Sequence, residues 1–191
     1  FQRDLARVRA YRPELAGIDL WFACNPDADA SGHAMLEDLG GTMFRPEVLT
    51  LLAHGHPSPV TEGEELVSGQ SSAGIWVNGN GERFTDETAV NTFAAAEAVV
   101  AQPGGEVWLI LDDVRVQTLS LLTPWDPGAG AVATVEDLQA AGYAHQGDDM
   151  LALATAAGLD GAALASAVEV FNAYARGEGP DPFRTPPDEP D

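Results

Sequence analysis

The stretch GIWVNGNGERFTDE, residues 74–87, constrains the fold more than any other part of this sequence. A short apolar run ends at Asn78 and is followed by Gly79, Asn80 and Gly81, which tolerate the positive φ angles of a tight hairpin. We therefore expect a strand that reverses direction at this point. A phosphate cradle is the alternative, but no helix N-terminus follows immediately and the G-x-G-x-x-G spacing does not occur.

A second strand is predicted at residues 107–111, VWLIL, because a continuous apolar run bounded by acids is typical of a strand buried on both faces. Several helices are predicted from polar residues that precede helical apolar spacing. The predicted caps are Asn91, Thr134 with Asp137, Asp148, and Asp160. Strands and helices in this order indicate an α+β fold.

The charge of the chain excludes two classes of partner. With 30 acidic residues against 9 basic ones the formal charge is −21, so nucleic acid and anionic membrane surfaces would be repelled. All nine basic residues are arginine, which fits either a GC-rich coding bias or a high-salt cytoplasm. A single cysteine, Cys24, excludes an internal disulfide framework.

Residues 54–70 contain two prolines, three glycines and three acids, and are predicted to be a long loop. His54 and His56 lie close together in this loop. Three interpretations stay open: the histidines bind a metal, they orient or protonate an anionic or carbonyl substrate, or they are ordinary loop residues. Residues 119–133 are predicted to be another loop.

Charged residues at two other places also leave alternatives. Asp86 and Glu87, next to Arg83, form either a local ion-pair cluster or part of a substrate wall. Residues 1–16 are predicted to form a short helix that carries four arginines. These arginines form a solvated face, or they meet the acidic remainder of the protein or a phosphate.

The segments around residues 30–53 and at the C-terminus complete the secondary-structure prediction. Asp29 or Ser31 caps a helix in which Met35, Leu36 and Leu39 share one face. An extended and mostly apolar segment is expected at residues 42–53. Residues 178–191, EGPDPFRTPPDEPD, are expected to be a linker or a frayed end.

Three stretches together resemble one family, the flavoproteins of the fumarate reductase, succinate dehydrogenase and 3-ketosteroid dehydrogenase group. Residues 74–87 resemble its strand, hairpin and Arg-Phe-x-x-Glu element. Residues 30–41, ASGHAMLEDLGG, resemble its Gly-Asp-Gly helix, and residues 148–183 resemble its helical segment with Asn-x-Tyr and Gly-x-Asp. The order and spacing of these stretches make the combination specific.

The resemblance implies an α+β capping domain that lies over a flavin, with a small flanking part of the FAD-binding domain. The implied boundaries are 1–45 for the flanking segment, 46–177 for the capping or substrate domain, and 178–191 for a linker or truncated return. The family's G-x-G-x-x-G turn does not occur here and the chain starts at Phe1. We therefore expect a fragment of a larger enzyme that carries FAD in its full-length form.

The resemblance also suggests site residues. Ser31 aligns with the family's aspartate that approaches FAD, and Gly32 keeps the glycine beside it. Asn91 stands where fumarate reductases place a proton-donating arginine, and an amide cannot deliver a proton in the same way. His56, in His56-Pro57-Ser58, corresponds to the family's His-Pro-Thr substrate motif, although His54 fits some loop spacings better. These departures argue against reduction of a C4 dicarboxylate.

The sequence thus predicts an FAD-dependent oxidoreductase that transfers a hydride between flavin and a carbon next to a carbonyl or carboxylate. The expected catalytic residues are His54, His56, Glu87 and Asn91, with Ser31 and Gly32 toward the cofactor and no metal. The expected partners are a small-molecule substrate and the remainder of the FAD-binding domain, in the cytoplasm, without nucleic acid or membrane. The alternative is a self-contained, non-catalytic α+β binding module.

Overall fold

The computed structural model describes residues 3–21, 27–48, 51, 55–62, 65–68, 74–89, 92–122 and 130–184. The α-helices are α1 (Leu5–Tyr11), α2 (Ser31–Asp38), α3 (Phe93–Val100), α4 (Asp113–Val116), α5 (Val135–Ala140), α6 (Met150–Ala157) and α7 (Gly161–Ala175). The strands are β1 (Gly55–Pro57), β2 (Glu65–Ser68), β3 (Ile75–Val77), β4 (Trp108–Ile110) and β5 (Leu121–Leu122). Short 3₁₀ helices span Pro13–Gly17, Glu87–Ala89 and Pro103–Gly105.

An antiparallel ribbon of β3 and β4 forms the centre of the fold, with Trp76 paired to Leu109. Trp76 on one face packs against Ala95, Ala96 and Val99 of α3. The other face packs against α6 and α7, where the buried residues are Ile75, Val77, Ala154 and Leu164. Both faces of the ribbon are therefore covered, as the VWLIL run predicts.

The hairpin turn after β3 is organised by one side chain. Oδ1 of Asn78 accepts hydrogen bonds from the backbone N–H groups of Asn80, at 3.0 Å, and Glu82, at 3.1 Å. Gly81 adopts φ +81° and lies so close to α7 that a Cβ atom there would be 2.9 Å from the carbonyl oxygen of Asp160. The predicted reversal of the chain at this turn is confirmed. Position 81 requires glycine because its φ angle is positive and because a Cβ atom would have no room there.

Two of the predicted helix caps are confirmed. Thr134 and Asp137 form a reciprocal capping box, and the Asp160 carboxylate accepts from two backbone N–H groups at the start of α7. The cap of α6 is Asp149, one residue after the predicted Asp148. The cap of α3 is Thr92, whose hydroxyl accepts from Ala95, so the prediction of Asn91 as the cap is wrong.

A second sheet corrects the loop prediction for residues 54–70. Strands β1, β2 and β5 form an antiparallel sheet in which His56 pairs with Leu66 and Val67 pairs with Leu122. This sheet has its own core, formed by Leu66, Leu121, Ala133 and Leu138. Pro59 and Glu62 lie in the connection between β1 and β2, while Leu66 is buried by partners distant in sequence. The loop expected at 119–133 likewise contains β5.

The arginines of the N-terminal helix do not form a solvated face. Arg7 binds Glu37 at 2.8 Å, and Arg12 binds both carboxylate oxygens of Glu97 on α3 at 2.9 and 3.1 Å. Arg12 is buried, and Val8 and Leu15 form a small core that includes Val100 of α3. The alternative, that these arginines meet the acidic remainder of the protein, is therefore confirmed for Arg7 and Arg12.

Helix α2 forms where it is predicted, but its N-cap is Ala30 without a side-chain cap, so the prediction of Asp29 or Ser31 as the cap is wrong. None of its residues is buried. Residues 42–48 do not continue as an extended strand, because Arg45 adopts φ +50° and the chain turns there. Phe44 is consequently 90% exposed. Among the helices that the structure describes, none has the length and apolar character needed to cross a membrane.

Candidate functional site

The structure describes four of the six predicted site residues. His54 and Asn91 lie outside the described residues. His56 is half-buried on β1, Glu87 begins the 3₁₀ helix that follows the β3 hairpin, and Ser31 and Gly32 open α2. These four residues therefore belong to three separate elements.

Glu87 is fully buried, at 0% exposure, and its carboxylate is held by several donors. Arg83 donates from Nε to Oε1 at 2.8 Å and from Nη2 to Oε2 at 3.0 Å. The backbone N–H of Trp76 donates to Oε1 at 3.2 Å. The ion-pair interpretation of Arg83 and Glu87 is therefore confirmed, whereas a catalytic role of Glu87 stays a prediction.

Two residues from the C-terminal segment complete this group, which we call the Arg83 cluster: Arg83, Glu87, Asp181 and Arg184. Asp181 accepts from Nη2 of Arg83 at 3.0 Å, and Nη2 of Arg184 donates to Glu87 at 3.3 Å. Burial acts to raise the pKa of Asp181, but the N–H of Phe183 and the charge of Arg83 outweigh it and hold the pKa below its usual range. The Asp181 carboxylate is thus kept as an anion beside Arg83.

Aromatic rings enclose the arginines of the Arg83 cluster. The guanidinium carbons of Arg83 and Arg184 lie 5.2 and 5.1 Å from the centre of the Phe171 ring on α7. Arg83 also lies 5.2 Å from the ring of Phe183, and Arg184 lies 5.5 Å from the ring of Tyr174. Such cation–π contacts stabilise a guanidinium that has lost most of its water.

Glu65 is a chemically notable residue that the sequence does not reveal. It lies on β2, is 5% exposed, and its Oε1 has no hydrogen-bond partner among the described residues. Burial without a compensating cation raises its pKa to about 7. Glu65 is therefore a carboxyl group that exchanges a proton near neutral pH, on the strand paired with the one that carries His56.

The start of α2 has an unusual backbone and an open surface. Ala30 precedes the helix with φ +69°, and the Asp29 carboxylate accepts from the N–H of Ser31 at 3.0 Å. Ser31 and Gly32 are exposed, and no atom would lie within 4 Å of a Cβ atom added at Gly32 apart from its neighbours in the chain and helix. The space beside the backbone of Gly32 is therefore open.

One side of α2 presents large apolar side chains to solvent. Met35, Leu36 and Leu39 are 68%, 63% and 86% exposed. Their spacing places them on the same side as Gly32, whereas Glu37 lies on the other side and binds Arg7. We call Met35, Leu36 and Leu39 the α2 apolar face. Within the described residues, no group of three or more His, Cys, Asp or Glu side chains is placed to hold a metal ion.

Comparison with known proteins gives a sequence relative. The chain is 25% identical over 169 residues to the probable fumarate reductase Ifc3 of Shewanella frigidimarina (strain NCIMB 400). The similarity covers 87% of this chain and 25% of the relative.

The resemblance to the fumarate reductase-like flavoproteins is confirmed. The chain is thereby related, at low identity, to flavoprotein oxidoreductases. No protein-family model matches the chain.

A solved structure shares the mixed helix and strand fold. The open conformation of a flavocytochrome c3 fumarate reductase superposes with a TM-score of 0.62 at 23% identity. The match covers 93% of this chain and 28% of that structure. The chain therefore spans about a quarter of the length of both fumarate reductases.

Proposed function

We propose that this chain is the capping region, with a flanking part of the FAD-binding domain, of an FAD-dependent oxidoreductase. The observation that carries the proposal is the similarity to two fumarate reductases along nearly the whole chain, of which it spans only about a quarter. The proposed reaction is hydride transfer between flavin and a substrate carbon next to a carbonyl or carboxylate. In this proposal the region works with the rest of a larger polypeptide.

The α2 apolar face supports a docking partner for this region. Monomeric proteins rarely expose a continuous patch of large apolar side chains unless the patch binds another protein surface, a membrane or a ligand. In this proposal the patch packs against the remainder of the FAD-binding domain. Residues 1–45 are the flanking segment of that domain, residues 46–177 the cap, and residues 178–191 the return; the contacts of Arg12 with Glu97 join the first two.

Ser31 and Gly32 are proposed to lie beside the flavin, and the free space next to the backbone of Gly32 is compatible with this. They would hold FAD at the same side of α2 as the apolar face. FAD, when bound, supplies the hydride acceptor or donor that no amino acid side chain provides. The protein's own contribution is to bind and orient the substrate and to exclude water.

The residues of the second sheet are proposed to face the substrate. His56 orients its carbonyl or carboxylate, and His54 and Asn91 are proposed as further catalytic residues. Glu65 exchanges a proton at its carboxyl group, which is suited to this task near neutral pH. Glu87 is proposed to hold neighbouring residues in place and not to contact the substrate, since both its carboxylate oxygens already bind arginine. The substrate is a small molecule, and the proposed location is the cytoplasm.

Titration with FAD tests the proposal. The 191-residue chain alone should bind FAD weakly, because the G-x-G-x-x-G turn that holds a pyrophosphate does not occur in it. A polypeptide that joins these residues to an FAD-binding body should bind FAD tightly. Equal affinity of the two forms for FAD would contradict the proposal that the FAD-binding body holds the cofactor.

A further inference from the structure

We propose that the Arg83 cluster is a latch that fastens residues 181–184 to the β3 hairpin, so that the two segments open together as one unit. The inference goes beyond the proposed function, since it concerns how the chain that follows α7 is coupled to the core. It does not depend on a flavin or a substrate.

The contacts form a continuous path from the C-terminal segment into the core. Asp181 binds Arg83 at 3.0 Å, and Arg83 binds Glu87 through two hydrogen bonds. Glu87 then accepts the N–H of Trp76, which is 1% exposed between the ribbon and α3. Three contacts therefore connect a segment 98 residues away in sequence to the central strand.

Burial makes these contacts mutually dependent. The side chains of Glu87 and Asp181 are 0% exposed, and that of Arg83 is 3% exposed. Removing one member leaves a buried charge without its partner, which is far more costly than losing an exposed ion pair. Detachment of the segment would leave Arg83 and Glu87 with fewer buried partners, and this cost links its opening to that of the hairpin.

A second attachment comes from Arg184 and the aromatic rings. Arg184 binds Glu87 at 3.3 Å and Asp86 at 3.3 Å, and it lies over the rings of Phe171 and Tyr174. The N–H of Phe183 donates to Asp181 at 2.8 Å and fixes the local turn. The segment is thus held at both of its charged positions.

Hydrogen–deuterium exchange of the protein and two variants tests the latch. Asp181→Asn removes the buried charge, and Glu178→Gln is the matched control because its pair with Arg176 is exposed. We expect Asp181→Asn to speed exchange by about tenfold or more in peptides from both residues 181–184 and the Trp76 hairpin. The control should leave both peptides within about twofold of the wild type.

The β1–β2–β5 sheet serves as an internal reference, because it has a separate core. Its exchange should not change in Asp181→Asn. Faster exchange of residues 181–184 with an unchanged hairpin would overturn the latch, and so would an equal increase in the reference sheet, which indicates global unfolding.

A milder variant keeps the test decisive if Asp181→Asn does not fold. Arg184→Gln leaves the bonds between Arg83 and Asp181 in place, and its side chain is already 17% exposed. The same two peptides should exchange faster, by about threefold or more, with the reference sheet unchanged. No change in the hairpin peptide of this variant would also overturn the proposal.

Discussion

Gly55 and Glu65 lie on paired strands, and the Glu65 side chain occupies the volume that a Cβ atom at position 55 would need. The absence of a side chain at Gly55 therefore allows the carboxyl group of Glu65 to stay buried. This relationship links a backbone position to the acidity of a neighbouring residue.

Gly55→Ala is expected to displace the Glu65 side chain into water. The pKa of Glu65 should then fall from about 7 toward the ordinary glutamate value of about 4.3. An NMR titration of the Glu65 carboxyl carbon measures this directly. Gly79→Ala is the control, since a Cβ atom there would meet nothing within 4 Å. A Glu65 pKa that stays about 7 in Gly55→Ala would refute the steric explanation.

The stability of the protein should depend on the proton of Glu65. The folded pKa is raised, so this group contributes fully below about pH 4 and its contribution is lost as the pH rises toward 7. The difference in unfolding free energy between Glu65→Gln and wild type should therefore rise by on the order of 3 kcal/mol from about pH 4 to pH 8. Urea denaturation at several pH values measures it. Glu62 is exposed, so Glu62→Gln serves as the control. If the unfolding free energies of Glu65→Gln and wild type differ by the same amount at every pH, the predicted effect is ruled out.

Glu87→Gln is expected to act mainly on stability. It removes one of the two buried carboxylates bound to Arg83, and the loss of this buried charge pair should cost about 3–5 kcal/mol of unfolding free energy. Glu169→Gln breaks an exposed pair with Arg176 and should cost less than about 1 kcal/mol. Thermal and urea denaturation compare the two. A Glu87→Gln protein as stable as the control would show that the buried pairs contribute little.

Two helical leucines distinguish a docking surface from the core. Leu36→Ala on the α2 apolar face should change the stability of the 191-residue chain by less than about 0.5 kcal/mol, because Leu36 is 63% exposed. Leu138→Ala in the core of the second sheet should cost about 2–5 kcal/mol, because Leu138 is 2% exposed. In a polypeptide that includes the FAD-binding body, Leu36→Ala should also become destabilising. Equal costs in the 191-residue chain would mean that Leu36 already has a packing partner.

Features set by local chemistry could be predicted from the sequence. The hairpin after β3, the capping box of Thr134 and the cap at Asp160 each depend on residues within a few positions of one another. The strand within VWLIL also follows from its own apolar run, and its half-buried residues pack on both faces of the ribbon.

Features set by distant partners could not be predicted in this way. Leu66 is buried because Leu121 and Leu138 cover it, and the sequence around Leu66 does not indicate these packing partners. Arg83 and Glu87 are visible as an i, i+4 pair, but Asp181 joins them from 98 residues away. The burial of Glu65 likewise depends on Gly55 across the sheet. His54 and Asn91 lie outside the described residues, so their roles stay predictions.

The visible absorption spectrum tests the central claim most directly. The polypeptide to purify is one that carries these 191 residues together with an FAD-binding body. Our account predicts a yellow protein with the absorbance of oxidised flavin. A saturated carbonyl or carboxylate substrate should bleach this absorbance by transferring a hydride to the flavin, and after reduction with dithionite an α,β-unsaturated substrate should restore it by accepting the hydride. A colourless protein that also fails to bind added FAD would contradict the account.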